Sequence, residues 1–226
     1  MISDKNYPED VRQLRQEQDF LRYLKLLKKI EPNYLIFITV SDTGAGPYFL
    51  PEHAVAMAEL GLKINMLHRY RQPYIAIINH GKVVREMCSE KLDEPLTFTG
   101  KINNHDLYIY SAGFNCQSSI GMGAVVMFDG VPFGVGNRGF DFLVFDTEED
   151  EIVDARGFDT FNLAKCNTAT NSFEPALMSF VQKYGGGYNF AQPYCLEPHL
   201  KAIQTSLIGN NGLSSKRIKM MDGYLI

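Results

Sequence analysis

The chain contains no tryptophan and only four cysteines among its 226 residues. Without tryptophan the widest aromatic face is missing, so any ring that stacks on a ligand must be tyrosine or phenylalanine. Cys88, Cys116, Cys166 and Cys195 form no C-x-x-C pair. That spacing excludes a zinc ribbon and a thioredoxin-like redox site. The thiols read as free, small, apolar core groups, with disulfides expected only in an oxidising compartment. Nor is there a basic excess: the formal net charge is −4, with both signs dispersed along the chain. Nucleic acid binding, which needs a concentrated basic face, is excluded on that ground. No apolar run approaches the ~20 residues that span a bilayer. The start, Met1-Ile2-Ser3-Asp4-Lys5, has neither the charged head nor the apolar core of a signal peptide. A cytoplasmic protein without membrane contact is the expectation, provided the sequence is not cut from a longer one. The five histidines, at 53, 68, 80, 105 and 199, lack metal-ligand spacing, and no metal or cofactor is expected.

What is present is enough apolar material, 45% of residues, for a sizeable core. Residues 9–30 carry Val11, Leu14, Leu21, Leu24 and Leu27 at helical period, with Arg, Gln and Lys between them. Pro8 lies ahead of that helix and Pro32 stops it. Tyr34–Val40 is apolar almost throughout, the pattern of a strand buried on both faces. A helix is expected from about Leu50 to Leu60, ended by Gly61. Pro73 precedes a strand, Tyr74–Ile78, and Asn79-His80-Gly81-Lys82 reads as the hairpin turn into Val83-Val84.

From about Leu96 to Phe161 apolar runs of strand length alternate with Gly and Asp turns, as in a compact antiparallel region. Its sharpest hairpin pairs Phe140–Asp146 with Ile152–Phe158 across the acidic stretch Glu148–Glu151, which reads as a solvated tip. The tail weakly repeats the early half. Leu196-Glu197-Pro198-His199 resembles Leu50-Pro51-Glu52-His53, and a helix near Glu174–Tyr184 echoes the one at 9–30. The intervening strand is replaced by Gly185-Gly186-Gly187-Tyr188-Asn189, too rich in glycine for a central strand.

Three short motifs stand out: Ser111-Ala112-Gly113-Phe114, Asn137-Arg138-Gly139-Phe140 and Phe158-Asp159-Thr160. Together they resemble the interleukin-like EMT inducer domain, related to the stem domain of protein O-mannose N-acetylglucosaminyltransferase. The resemblance implies an α+β fold with an antiparallel β-sandwich-like core and flanking helices. It implies a module that binds carbohydrate or protein and catalyses nothing by itself. The family order is β region, helix, buried strand, helix, final strand. Here the helix and strand half, 8–92, precedes the β half, 95–165. Either the two complete one circularly permuted domain, 8–165, or the chain holds one truncated and one complete unit. The permuted form is expected, because the early half supplies the buried strand. Residues 166–226 would then be a C-terminal helical extension and degenerate half-repeat.

The sugar-binding stem domain places an arginine in its R-G turn, a carboxylate at the start of the helix after the buried strand, and an arginine just before the final strand. Arg138 matches the first, Glu52 falls at the second where the family has Asp, and Arg71 matches the third. Carboxylates accept from sugar hydroxyls and guanidinium groups donate in a planar fork. With Tyr74 or Tyr70 as stacking surface, these residues form the expected ligand site, and the expected partner is a glycan. The alternatives are a protein-interaction or signalling domain, acting as a homodimer or through an exposed apolar patch, and a glycan-processing enzyme.

Two motifs imitate enzymes. Asp42-Thr43-Gly44-Ala45 spells the aspartic protease sequence, yet that chemistry needs two carboxylates sharing a proton. Gly134–Gly139 spells G-x-G-x-x-G, yet a strand rather than a helix should follow it, so a dinucleotide site is not expected. No nucleophile or catalytic residue emerges.

Overall fold

The computed structural model describes residues 7–118, 122–133, 138–161 and 166–168. The segment 9–30 is two helices, α1 (Glu9–Leu14) and α2 (Phe20–Ile30), rather than one. The break has local causes. Asp19 caps α2 by accepting the Arg22 N–H at 2.8 Å, and Glu17 Oε1 accepts from the N–H groups of Gln18 and Asp19. Side chains thus take backbone groups that a continuous helix would have paired. The carbonyls of Arg15 and Glu17 turn instead to the guanidinium of Arg156.

Strand β1 (Leu35–Asp42) is followed by α3 (Pro51–Glu59), β2 (Tyr74–Asn79) and β3 (Lys82–Cys88). The hairpin between β2 and β3 turns on His80 and Gly81, with φ of 47° and 73°. Positive φ at both central residues is what a type I′ turn requires. Next come β4 (Leu96–Ile102), β5 (His105–Gly113), β6 (Gly123–Phe128) and β7 (Val131–Phe133). The series ends with β8 (Gly139–Asp146), β9 (Glu151–Phe158) and β10 (Cys166–Thr168). The fold class is α+β, as expected. The ten strands of the described residues form one branched sheet in the order β10-β9-β8-β1-β5-β6-β7, with β2 also on β1 and carrying β3, and β4 on β5.

The two halves of the sequence meet at β1. Leu35–Ser41 pair antiparallel with Phe145–Gly139 of β8, so the early strand lies beside the late hairpin. On its other edge β1 changes neighbour: Leu35–Thr39 pair antiparallel with β2, and then Ser41 and Asp42 pair with Ala112 and Gly113 of β5. That last contact is parallel, a departure from an all-antiparallel sheet. Alternate β1 side chains enter two separate cores. Ile36, Ile38 and Val40 pack with α1, α2 and α3, while Leu35 and Phe37 pack with Leu107, Ile109, Val126 and Phe128. Burial on both faces explains the unbroken apolar run. In the tail, residues 166–168 form a strand on β9 where a helical extension was expected, and the rest of 166–226 lies outside the described residues. Among the described residues no helix is long and apolar enough to cross a membrane.

Candidate functional site

The change of neighbour along β1 draws four strand ends to one place. Beyond the end of β1, Thr43 is fully buried and ties two of them together: its Oγ1 accepts the Arg71 N–H at 2.9 Å, and its carbonyl accepts the Thr160 hydroxyl at 3.0 Å. The Phe114 N–H donates to the Asp42 carbonyl at 3.0 Å. Gly113 allows β5 to run against Arg71, since a Cβ there would stand 1.9 Å from the Arg71 carbonyl oxygen. Arg71 itself has φ of 60°, a left-handed conformation that costs a non-glycine residue roughly 1–2 kcal/mol.

That backbone conformation sets the Arg71 side chain between two rings. Its guanidinium carbon is 4.3 Å from the Phe114 ring centre and 4.9 Å from that of Tyr70, and Nη1 donates to Asn115 Oδ1 at 2.9 Å. Both rings are open to solvent, Tyr70 at 47% and Phe114 at 51% of full exposure. Tyr70 continues the surface to Phe161, ring centres 6.2 Å apart, and the Arg138 guanidinium lies 4.7 Å from the Phe161 ring centre. Arg138 makes a two-pronged ion pair with Asp159, Nε to Oδ1 at 3.0 Å and Nη2 to Oδ2 at 2.9 Å. Hydrogen bonding to that carboxylate holds the Arg138 guanidinium above its ordinary range. Asp159 also accepts the Phe161 N–H, which fixes the ring beneath the guanidinium. The result is a run of planar groups, Arg138, Phe161, Tyr70, Arg71 and Phe114, edged by Asn115 and Asp159.

Arg138 and Arg71 are therefore brought together. Glu52 stands exposed on the first turn of α3, and no hydrogen bond or ion pair ties it to either arginine. Tyr74 is removed from the site: it is fully buried, and its hydroxyl donates to Glu86 at 2.8 Å. It sits within β2, a strand buried on both faces, so its ring packs into a core. Tyr70, four residues earlier and outside the strand, holds the exposed position. Phe114, Asn115, Asp159 and Phe161 were not picked out by sequence, although Phe114 and Asp159 lie inside the motifs S-A-G-F and F-D-T.

The protease-like motif is a junction here, with Thr43 buried and committed to Arg71 and Thr160. Residues 134–137 of the glycine motif lie outside the described residues; Gly139 opens β8, a strand rather than a helix. Glu148–Asp150 form an exposed turn, while Glu151 belongs to β9 and accepts from the Tyr7 hydroxyl. Cys88 and Cys116 are half-buried free thiols, and burial pushes the Cys88 thiol up, away from the nucleophilic thiolate. Among the described residues no group of three or more His, Cys, Asp or Glu is placed to hold a metal. At the other end of β2 a second open groove is lined by Asn79, Arg85, Phe98, Lys101 and Asn103. No family model, curated protein or solved structure matches this chain.

Proposed function

We propose that the chain is a non-catalytic carbohydrate-binding or accessory module that takes a glycan on the platform from Arg138 to Phe114. The observation that carries this reading is the alternation of half-exposed aromatic rings with planar hydrogen-bonding groups: Tyr70 and Phe114 each against Arg71, with Asn115 beside them. A sugar presents an apolar face and a rim of hydroxyls, and such a surface meets both. The resemblance to the interleukin-like EMT inducer domain supports the same reading. Residues of β1, β2, β5, β6 and β8 also share one core, which is compatible with the sandwich-like packing that the resemblance implies. Net hydrogen-bond gains of about 1 kcal/mol each imply weak binding to a single sugar and tighter binding to an oligosaccharide. A glycan array followed by NMR titration tests this. Tyr70→Ala and Phe114→Ala should each abolish binding, and Arg85→Ala, in the groove at the other end of β2, should leave it intact. Binding that survives both aromatic truncations removes the platform from consideration.

A second reading, a protein-interaction module acting as a homodimer, is favoured by the outer side of α3. Val55 is 60% exposed there, beside Leu50 at 40% and Tyr48 at 48%. Pro51, Ala54, Leu62 and Ile64 continue the apolar lining. Light scattering decides it: a dimer that Val55→Lys splits supports this reading, and a monomer at all concentrations discards it.

A further inference from the structure

The charges on the platform do not balance evenly. Arg138 is compensated, because Asp159 meets it with both oxygens and Asp42 lies within electrostatic reach of the same guanidinium. Arg71 is not. Its hydrogen-bonding partner is the neutral amide of Asn115, and among the described residues it forms no ion pair. A guanidinium offers five N–H donors. Here Nη1 is engaged by Asn115, and Nε is buried with no hydrogen-bond partner among the described residues. The terminal Nη edge is what remains for a ligand, between Tyr70 and Phe114.

We infer that the ligand is an acidic saccharide, and that Arg71 receives its carboxylate. The inference rests on the carbohydrate reading above and adds the class of sugar. Two planar oxygens of one carboxylate match the end of one guanidinium fork, and the sugar ring bearing that carboxylate falls beside the Tyr70 or Phe114 face. One uncompensated cation calls for one negative charge. A dianionic phosphate would bring a second, for which Arg71 offers no further cation. Arg71 has a further reason to be an arginine: it keeps a left-handed backbone that glycine would hold without strain, so its side chain carries the need.

The test compares methyl β-glucuronide with methyl β-glucoside, which differ at C6, and with inorganic phosphate, by NMR titration of the amides of Tyr70, Phe114 and Asn115. A charge-assisted bond in place of a neutral one should make the glucuronide bind about tenfold more tightly. That ratio should fall to about one in Arg71→Gln, whatever happens to the absolute affinities. In the unaltered chain it should also shrink as salt rises, as the Debye length shortens from about 30 Å at 0.01 M to about 3 Å at 1 M. Equal affinity for the two sugars overturns the inference and leaves the carbohydrate reading standing. Phosphate binding as tightly as the glucuronide also overturns it, showing an unselective anion site. If neither sugar binds, alone or in oligomers, the carbohydrate reading fails and this inference with it.

Discussion

Tyr70 and Phe161 meet with ring centres 6.2 Å apart, and each ring has a guanidinium against it, Arg71 on the first and Arg138 on the second. The contact joins the segment before β2 to the segment after β9, so it exists only because β1 sits between β2 and β8. A surface built this way depends on the sheet for its shape and gives the sheet little in return. Exposed cation–π contacts contribute about 0.5–1 kcal/mol each. Surface ion pairs contribute about 0–1 kcal/mol.

Arg71→Gly should separate function from stability. Glycine adopts φ of 60° freely, which recovers part of the roughly 1–2 kcal/mol that the left-handed conformation costs. The lost contacts to Tyr70, Phe114 and Asn115 are of similar size. Stability measured by urea unfolding should stay within about 1 kcal/mol of the parent, while the proposed glycan binding disappears. A loss well beyond that would mark Arg71 as a structural residue.

Gly113→Ala should damage the platform without altering a group on it. The added methyl would lie 1.9 Å from the Arg71 carbonyl oxygen, so β5 and the Arg71 segment must part. The bond from the Arg71 N–H to Thr43 Oγ1 would go with them. A loss of about 1–3 kcal/mol is expected. At temperatures where the variant remains folded, the Arg71 and Phe114 amide resonances should shift and the proposed glycan binding should fall. Unchanged resonances would show that the strands absorb the methyl elsewhere.

Much of the fold was legible because it rests on period and punctuation. The apolar run at 34–40, the His80-Gly81 turn and the β8–β9 hairpin each follow from local chemistry that the structure obeys. The single helix expected over 9–30 failed because apolar spacing is blind to capping. Asp19 and Glu17 redirect the backbone bonds, and Arg156, far along the chain, takes the freed carbonyls. The site was legible only in part. Arg138 and Arg71 could be matched to motif positions, but the neighbours of a side chain at a strand end depend on which strands pair. Nothing local shows that β1 hands over from β2 to β5, the step that sets Phe114 beside Arg71. Tyr74 was misplaced for a related reason: a tyrosine after a proline reads as available until the pairing of β2 with β1 and β3 and the packing on both its faces bury it.

His53 should make the fold sensitive to mild acid. Its ring is buried against Phe20 and Phe49, and its Nδ1 accepts the Leu50 N–H at 3.0 Å. Burial lowers its pKa from the ordinary 6.5, against the opposing pull of Glu52 and Asp19. The folded state therefore holds the neutral ring, and the unfolded chain binds the proton first. Stability from this group is complete above pH 6.5 and declines as the pH falls below it toward the folded value. Urea unfolding at a series of pH values should show that decline. His53→Gln, which cannot take up the proton, should flatten it below pH 6.5. An unchanged slope in the variant would assign the effect to other groups.

Arg156 should prove the most sensitive charged side chain in the fold. It is 1% exposed, and its guanidinium binds the backbone carbonyls of Arg15 and Glu17 while lying 3.5 Å from Asp154. Asp154 is equally buried and accepts the Tyr23 hydroxyl at 2.9 Å. Arg156 thus fastens the α1–α2 break to β9, and its neighbour Asp154 fastens α2. Arg156→Met keeps much of the volume but leaves a buried carboxylate and two carbonyls without the donor. Removing one partner of a buried pair costs about 3–5 kcal/mol, far more than losing a surface pair. The double variant Arg156→Met, Asp154→Leu removes the stranded charge, and with it part of the penalty. The single change should therefore be the more damaging in urea unfolding, with the double variant recovering at least about 1 kcal/mol. Hydrogen exchange should place the weakened region at residues 15–19, where the carbonyls lose their donor. A single variant as stable as the parent would mean that these carbonyls find water at no cost, and that the break between α1 and α2 is held by Asp19 and Glu17 alone.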